Sequence, residues 1–144
     1  MAAIEPDEHH WPLVTLKFPS HFSDEEFDDY LTGLSVNLQR TIAQGTRTGL
    51  LFDTSDAPSV DARTRRKMAD WIDGHREQSA EYCAGYAFVI RSGIVRGILT
   101  AILWLAPMPA PHVVVATREE GFEWLRKQLA QHGIEVSGAS ATFG

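Results

Sequence analysis

The chain has 144 residues, 13 basic and 19 acidic side chains for a net charge of −6, and one cysteine. That length suits one domain with one core, which at this size buries roughly 70% of the surface of its unfolded chain, so neither metal nor disulfide is needed for folding. A single cysteine excludes an intrachain disulfide or a cysteine zinc cluster, and the acidic balance argues against nucleic acid as the main partner, because phosphate binding needs a basic surface.

Residues 1–12 carry Glu5, Asp7, Glu8 and the pair His9-His10, with no apolar core of the kind a signal peptide has. This segment is expected to be loose, and the location cytoplasmic by default. Leu13–Phe18 alternates enough for a strand. Ser23 and Glu26 then form a capping box, and Phe22 and Phe27 a hydrophobic staple. Phe27, Tyr30, Leu31, Leu34 and Leu38 recur at helical spacing up to a stop at Gly45. Gly49–Asp53, with its run Leu50-Leu51-Phe52, is a second strand.

The following loop, Asp53–Asp61, holds three carboxylates and three hydroxyls at the end of a core strand, where open α/β sheets place binding sites. It can serve a cation or a phosphate. It also suits an ordinary turn in which Asp61 caps the next helix, since Asp, Ser and Pro are turn residues. That helix runs to about Gly74, with Met68, Trp71 and Ile72 inward and Arg63–Lys67 on a solvated face or a small positive patch for an acidic partner. Cys83 is expected to be a small buried hydrophobe beside a third strand, Tyr86–Ile90.

Ser92 starts a helix that is apolar on almost every side, ended by Pro107, Pro109 and Pro111. The longest apolar stretch, Gly97–Pro109, is too short to span a bilayer. At 100° per residue, Ile94, Val95, Ile98, Leu99, Ala101, Ile102 and Leu105 fill one broad arc expected to face the core. Arg96 and Thr100 mark a polar stripe flanked by Leu103 and Trp104, which with Met108 in the proline-rich turn make a candidate contact surface. Val113–Ala116 is a fourth strand. Thr117 and Glu120 start a last helix burying Phe122, Leu125 and Leu129, and Gly133 stops it. Ser137–Gly144 is small and polar and is expected to be a flexible tail, leaving 13–136 as the domain. Continuous apolar strands alternating with helices specify an α/β fold whose sheet is at least partly parallel.

No dinucleotide fingerprint, P-loop or nucleophile elbow is present. His21, His75, His112 and His132 sit at scattered element ends, and neighbours such as His9 and His10 on an extended chain point apart, so no metal site is expected.

The order strand, helix, Leu50-Leu51-Phe52-Asp53, loop, and helix after Asp61 resembles the STAS/SpoIIAA-like domains. Ile90-Arg91-Ser92 through Arg96, Trp104 and the prolines, and Thr117-Arg118-Glu119-Glu120-Gly121-Phe122-Glu123-Trp124-Leu125, look like bacterial proteins of that family, with Gly121 where alanine is usual. The resemblance covers roughly Leu13–Gln131. It implies a four- or five-stranded mixed sheet with about four helices mainly on one face, and non-enzymatic modules that bind protein partners or apolar ligands without a cofactor. The position of the family's phosphorylated Asp-Ser-Ser-Gly reads Asp61-Ala62-Arg63 here, without either serine. Ser55, Ser59 and Thr64 are the hydroxyls left for phosphorylation, and Asp53 and Asp61 for ligand contact. The expected function is a regulatory or scaffolding module acting through protein–protein contacts, self-association included. The alternative is binding of a small apolar, lipid-like ligand, with the apolar helix lining a pocket together with Phe18, Phe27 or Tyr30.

Overall fold

A computed structural model describes residues 4–136. The expected tail, 137–144, lies outside the described residues. The elements in chain order are β1 (Pro6–His10), β2 (Leu13–Lys17), α1 (Asp24–Gln44), β3 (Thr48–Asp53), α2 (Ala62–Gly74), α3 (Arg76–Tyr82), β4 (Cys83–Val89), α4 (Gly93–Leu105), β5 (His112–Val115) and α5 (Arg118–Ala130). The fold is α/β, with a five-stranded mixed sheet in the order β1-β2-β3-β4-β5. β1 is antiparallel to β2, and the other neighbours are parallel.

Strand order following chain order has a geometric consequence. Parallel connections are right-handed as a rule, and when each steps the same way along the sheet the connecting helices fall on one face. α1 joins β2 to β3, α2 and α3 join β3 to β4, and α4 joins β4 to β5. Among the described residues no strand follows α5, which covers the opposite face. Side-chain alternation then sorts the core in two. Val14, Leu16, Leu50, Phe52, Tyr86 and Phe88 pack with Phe27, Tyr30 and Leu34 of α1 and Val95 of α4. Leu13, Leu51, Ala87 and Val89 pack with Phe122, Leu125 and Leu129 of α5. β3 and β4 are buried along their whole length, which is why they read as unbroken apolar runs.

The local signals behave as their chemistry requires. Ser23 accepts from the Glu26 amide while Glu26 accepts from the Ser23 amide, completing the capping box, and the Phe22 and Phe27 rings stack with centroids 6.0 Å apart. Gly45, at φ 64°, closes α1 in the left-handed region that glycine enters without penalty. At Thr117 the box is only half made: its hydroxyl accepts from the Glu120 amide, but it also donates to the Glu120 carboxylate, which therefore does not return to the cap amide. Gly121 has a packing reason. A Cβ there would stand 3.1 Å from Leu51 Cδ1 and 3.3 Å from Ala87 Cβ, so glycine lets α5 lie close on β3 and β4.

Two elements were not anticipated. Pro6–His10, expected to be loose, forms an edge strand whose polar side chains are mostly exposed. Polar, charged edges resist further strand pairing and carry no apolar alternation to signal them. Ile4 inserts into the core before it, and Trp11 after it donates from Nε1 to Gln44 at 3.0 Å beneath the Arg40 guanidinium. α3 is seven residues long and buries one residue, Ser79, too little for an apolar period.

Leu125 is fully buried beneath α5, whereas Trp104 of α4 is exposed. Leu125→Ala is expected to cost about 2–5 kcal/mol of stability and Trp104→Ala to stay within about 0.5 kcal/mol, both read from urea unfolding.

Candidate functional site

The strand-end loop resolves into a strut. Asp53 ends β3 on the α5 face with 5% of its surface exposed. One carboxylate oxygen accepts from the Ser55 amide at 3.0 Å and the Ser55 hydroxyl at 2.6 Å, and the other accepts from Arg118 Nε at 2.6 Å. Burial by itself would raise the Asp53 pKa, but the Ser55 donors and Arg118 outweigh it and hold the carboxyl below its ordinary range. Thr54 donates its hydroxyl to the Val89 carbonyl at 2.6 Å, tying the loop to β4. Asp61 is the α2 cap, accepting from the Thr64 amide at 2.9 Å. Of the five loop residues named for phosphorylation or ligand contact, Asp53, Ser55 and Asp61 therefore have their side chains committed to structure, Thr64 lends its amide to the cap, and Ser59 stands exposed. Among the described residues no three His, Cys, Asp or Glu side chains converge as a metal set would. Cys83 is buried, and burial pushes its thiol up to about 12, which keeps it protonated at neutral pH.

The proposed contact surface is rearranged. Arg96 and Thr100 are exposed, and Thr100 donates back to the Arg96 carbonyl at 2.9 Å. Trp104 is 84% exposed, but Leu103 is half-buried and Met108 packs into the core. The arc expected to be core is corrected more strongly. Of its seven residues only Val95 is buried, while Ile94 is 67% and Leu105 47% exposed. Arg96 and Thr100 do lie outward, as their stripe indicates, but two residues do not fix how wide the exposed side is, and Ile94 and Leu105 fall within it. The tertiary packing does: α4 lies along α2, and its backbone scarcely approaches the sheet.

The stand-off leaves an apolar cavity of about 130 Å³ that is open to solvent. Phe52, Tyr86 and Phe88 on the sheet form its floor, the first and last stacked with centroids 5.2 Å apart. Phe18, Phe22, Phe27 and Tyr30 line it from β2's exit and α1, Met68 and Trp71 from α2, and Val95, Ile98, Leu99 and Ile102 from α4. The wall at Trp71 is fixed by its indole N–H donating to Ser35 at 3.0 Å and by its ring stacking on His75 at 4.1 Å. Ala57, Pro58 and Val60 of the loop also line the cavity. Those loop residues and Met108 carried no sequence signal for this role, because what makes them wall is position across the chain. The aromatic run from Phe18 to Tyr30 was the available signal, and Phe18, Phe27 and Tyr30 do line the cavity.

No protein-family model matches the chain, and no curated protein matches it.

The Asp53 strut gives a pH dependence. Its folded pKa is depressed, so its contribution is present above the unfolded carboxylate value of about 3.9 and is lost as pH falls through the folded value. Asp53→Asn is expected to cost about 1.5–3 kcal/mol at pH 7, with the gap between variant and parent narrowing below about pH 4, as measured by urea unfolding at both ends of that range.

Proposed function

We propose that this protein is a non-catalytic module of the STAS/SpoIIAA-like kind that binds a small apolar molecule between its sheet and the α2–α4 pair. The observation that carries the reading is the cavity of about 130 Å³ with aromatic and aliphatic walls. Native interiors are close-packed, with few spaces larger than a water. An apolar cavity near 150 Å³ is about the size that takes benzene, and concave, mostly apolar pockets are the usual form of small-molecule sites. The family part of the proposal is supported by the five-stranded mixed sheet and by the connecting helices packed on one face of it. A binding rather than catalytic role is supported by the commitment of Asp53 to Arg118 and Ser55 and by the protonated, buried Cys83.

A second reading has its own observation. Ile94, Trp104 and Leu105 lie along one side of α4 and are exposed, and an apolar stripe of that kind suits contact with a protein partner or a second copy of the chain. The residues that best support this reading are Trp104, Ile94 and Leu105 rather than Leu103 and Met108.

Ethylbenzene is expected to raise the melting temperature saturably, since a ligand of the native state must stabilise it, and to shift the amide resonances of Tyr30, Leu99 and Ile102 but not those of α5. Leu99→Phe, which fills part of the cavity, is expected to weaken that binding by about tenfold or more. An absence of saturable binding in the parent protein would sink the reading. For the second reading, sedimentation is expected to show a mass rising above 16.0 kDa with concentration and Trp104→Asp to hold it at one chain; identical behaviour of the two proteins would remove self-association.

A further inference from the structure

The walls of the cavity are apolar, but one of them carries a hydroxyl with a poor partner. Tyr30 is 3% exposed, and its hydroxyl donates to the Met68 sulfur at 3.9 Å. A thioether is a weak acceptor, and an ordinary hydroxyl hydrogen bond to oxygen spans about 2.5–3.0 Å. A buried donor held this way forgoes much of what water or a carbonyl would give it. Two other polar groups along the cavity are better satisfied: Thr54 bonds the Val89 carbonyl at 2.6 Å, and the Trp71 indole bonds Ser35 at 3.0 Å.

The two partners differ in mobility. Tyr30 sits on the long helix α1, with its ring edge-on to Phe18 at 5.1 Å and tilted against Phe27 at 5.4 Å, so its hydroxyl is fixed in place. Met68 is an unbranched side chain on α2 that can swing between rotamers at small cost. Both residues line the cavity. An oxygen acceptor arriving in the cavity can therefore take the Tyr30 proton from the sulfur without moving the donor.

Charge narrows the choice of acceptor. Arg65 is the one basic side chain among the described residues lining the cavity, and its Nη1 donates to the Val60 carbonyl at 2.8 Å. Burial pushes the Tyr30 hydroxyl toward its protonated form, so it is a donor and not an anion. A carboxylate carried against such walls would lose its hydration, with Arg65 as its one basic neighbour there and Arg65 Nη1 already turned to the Val60 carbonyl.

We propose that the cavity takes a neutral molecule of about benzene size carrying one oxygen acceptor, such as a ketone or ester, whose oxygen accepts from Tyr30 in place of the Met68 sulfur. The proposal rests on the reading of the cavity as a ligand site and adds the chemical class of the ligand and the residue that orients it. Tyr30 supplies a polar handle of the kind such pockets use to fix orientation.

The test compares acetophenone, ethylbenzene and benzoate on the parent protein, Tyr30→Phe and Met68→Leu by calorimetry, with the carbonyl stretch of acetophenone followed by infrared difference spectroscopy. Tyr30→Phe keeps the ring and is expected to weaken acetophenone by roughly 2- to 12-fold, the worth of one hydrogen bond, while ethylbenzene changes less than about twofold. Met68→Leu removes the competing acceptor and is expected to tighten acetophenone and leave ethylbenzene unchanged, which keeps the test intact even where the tyrosine variant folds poorly. Acetophenone bound to the parent is expected to show a lowered carbonyl frequency that Tyr30→Phe restores. Ethylbenzene binding with no effect of either variant on acetophenone and no carbonyl shift overturns the assignment of Tyr30 and leaves the apolar site standing. Benzoate binding as tightly as acetophenone overturns the neutral class. Absence of saturable binding by both ethylbenzene and acetophenone overturns the site itself.

Discussion

Every parallel crossover in this protein steps the same way along the sheet, and right-handed connections then place α1, α2, α3 and α4 on one face. Four helices over four parallel strands are more than one layer accommodates. α1 lies down with Phe27, Tyr30 and Leu34 in the sheet's side chains. α4, the last to arrive, leans on α2 and reaches the core mainly through Val95. The cavity is the space this crowding leaves. Its floor of Phe52, Tyr86 and Phe88 is what a strand face buried under helices contains, so the site is built from core chemistry.

The opposite face works differently. α5 covers it, with Ile134 and Val136 packing beside it, and it lies close because Gly121 presents no Cβ to Leu51 and Ala87. Phe122, Leu125 and Leu129 are fully buried there. The ion pair from Arg118, at the first turn of α5, to Asp53 fastens that helix to the end of β3. A buried carboxylate with three donors holds geometry well and has little capacity left for a ligand. One end of one strand therefore anchors the closed face while the loop that follows it borders the open one, through Ala57, Pro58 and Val60.

α4 links the two functional readings. Its inner side bounds the cavity with Val95, Leu99 and Ile102, and its outer side exposes Ile94, Trp104 and Leu105. A helix apolar all round suits an element with apolar surroundings on both sides. A ligand within and a partner without would act on the same helix, so occupancy of one is expected to be felt at the other in proportion to how far α4 moves.

Much of the fold was legible in the sequence because the signals are local. The Ser23–Glu26 box, Gly45, the Asp61 cap, the apolar runs of β3 and β4 and the buried triplet Phe122, Leu125 and Leu129 each depend on neighbours within a few residues. β1 escaped because an exposed edge strand needs no apolar alternation, and α3 because it buries almost nothing. The sequence by itself determined that α4 is a helix and that it is apolar. How far its exposed side extends was decided only by tertiary structure, since the Arg96/Thr100 stripe marks one direction and the packing against α2 decides what the remaining apolar positions meet. The same holds for the site. Phe18, Phe27 and Tyr30 were visible as an aromatic cluster. That Tyr30 reaches Met68, 38 residues on, beside a cavity walled by a third helix is a fact of packing, and no spacing along the chain encodes it.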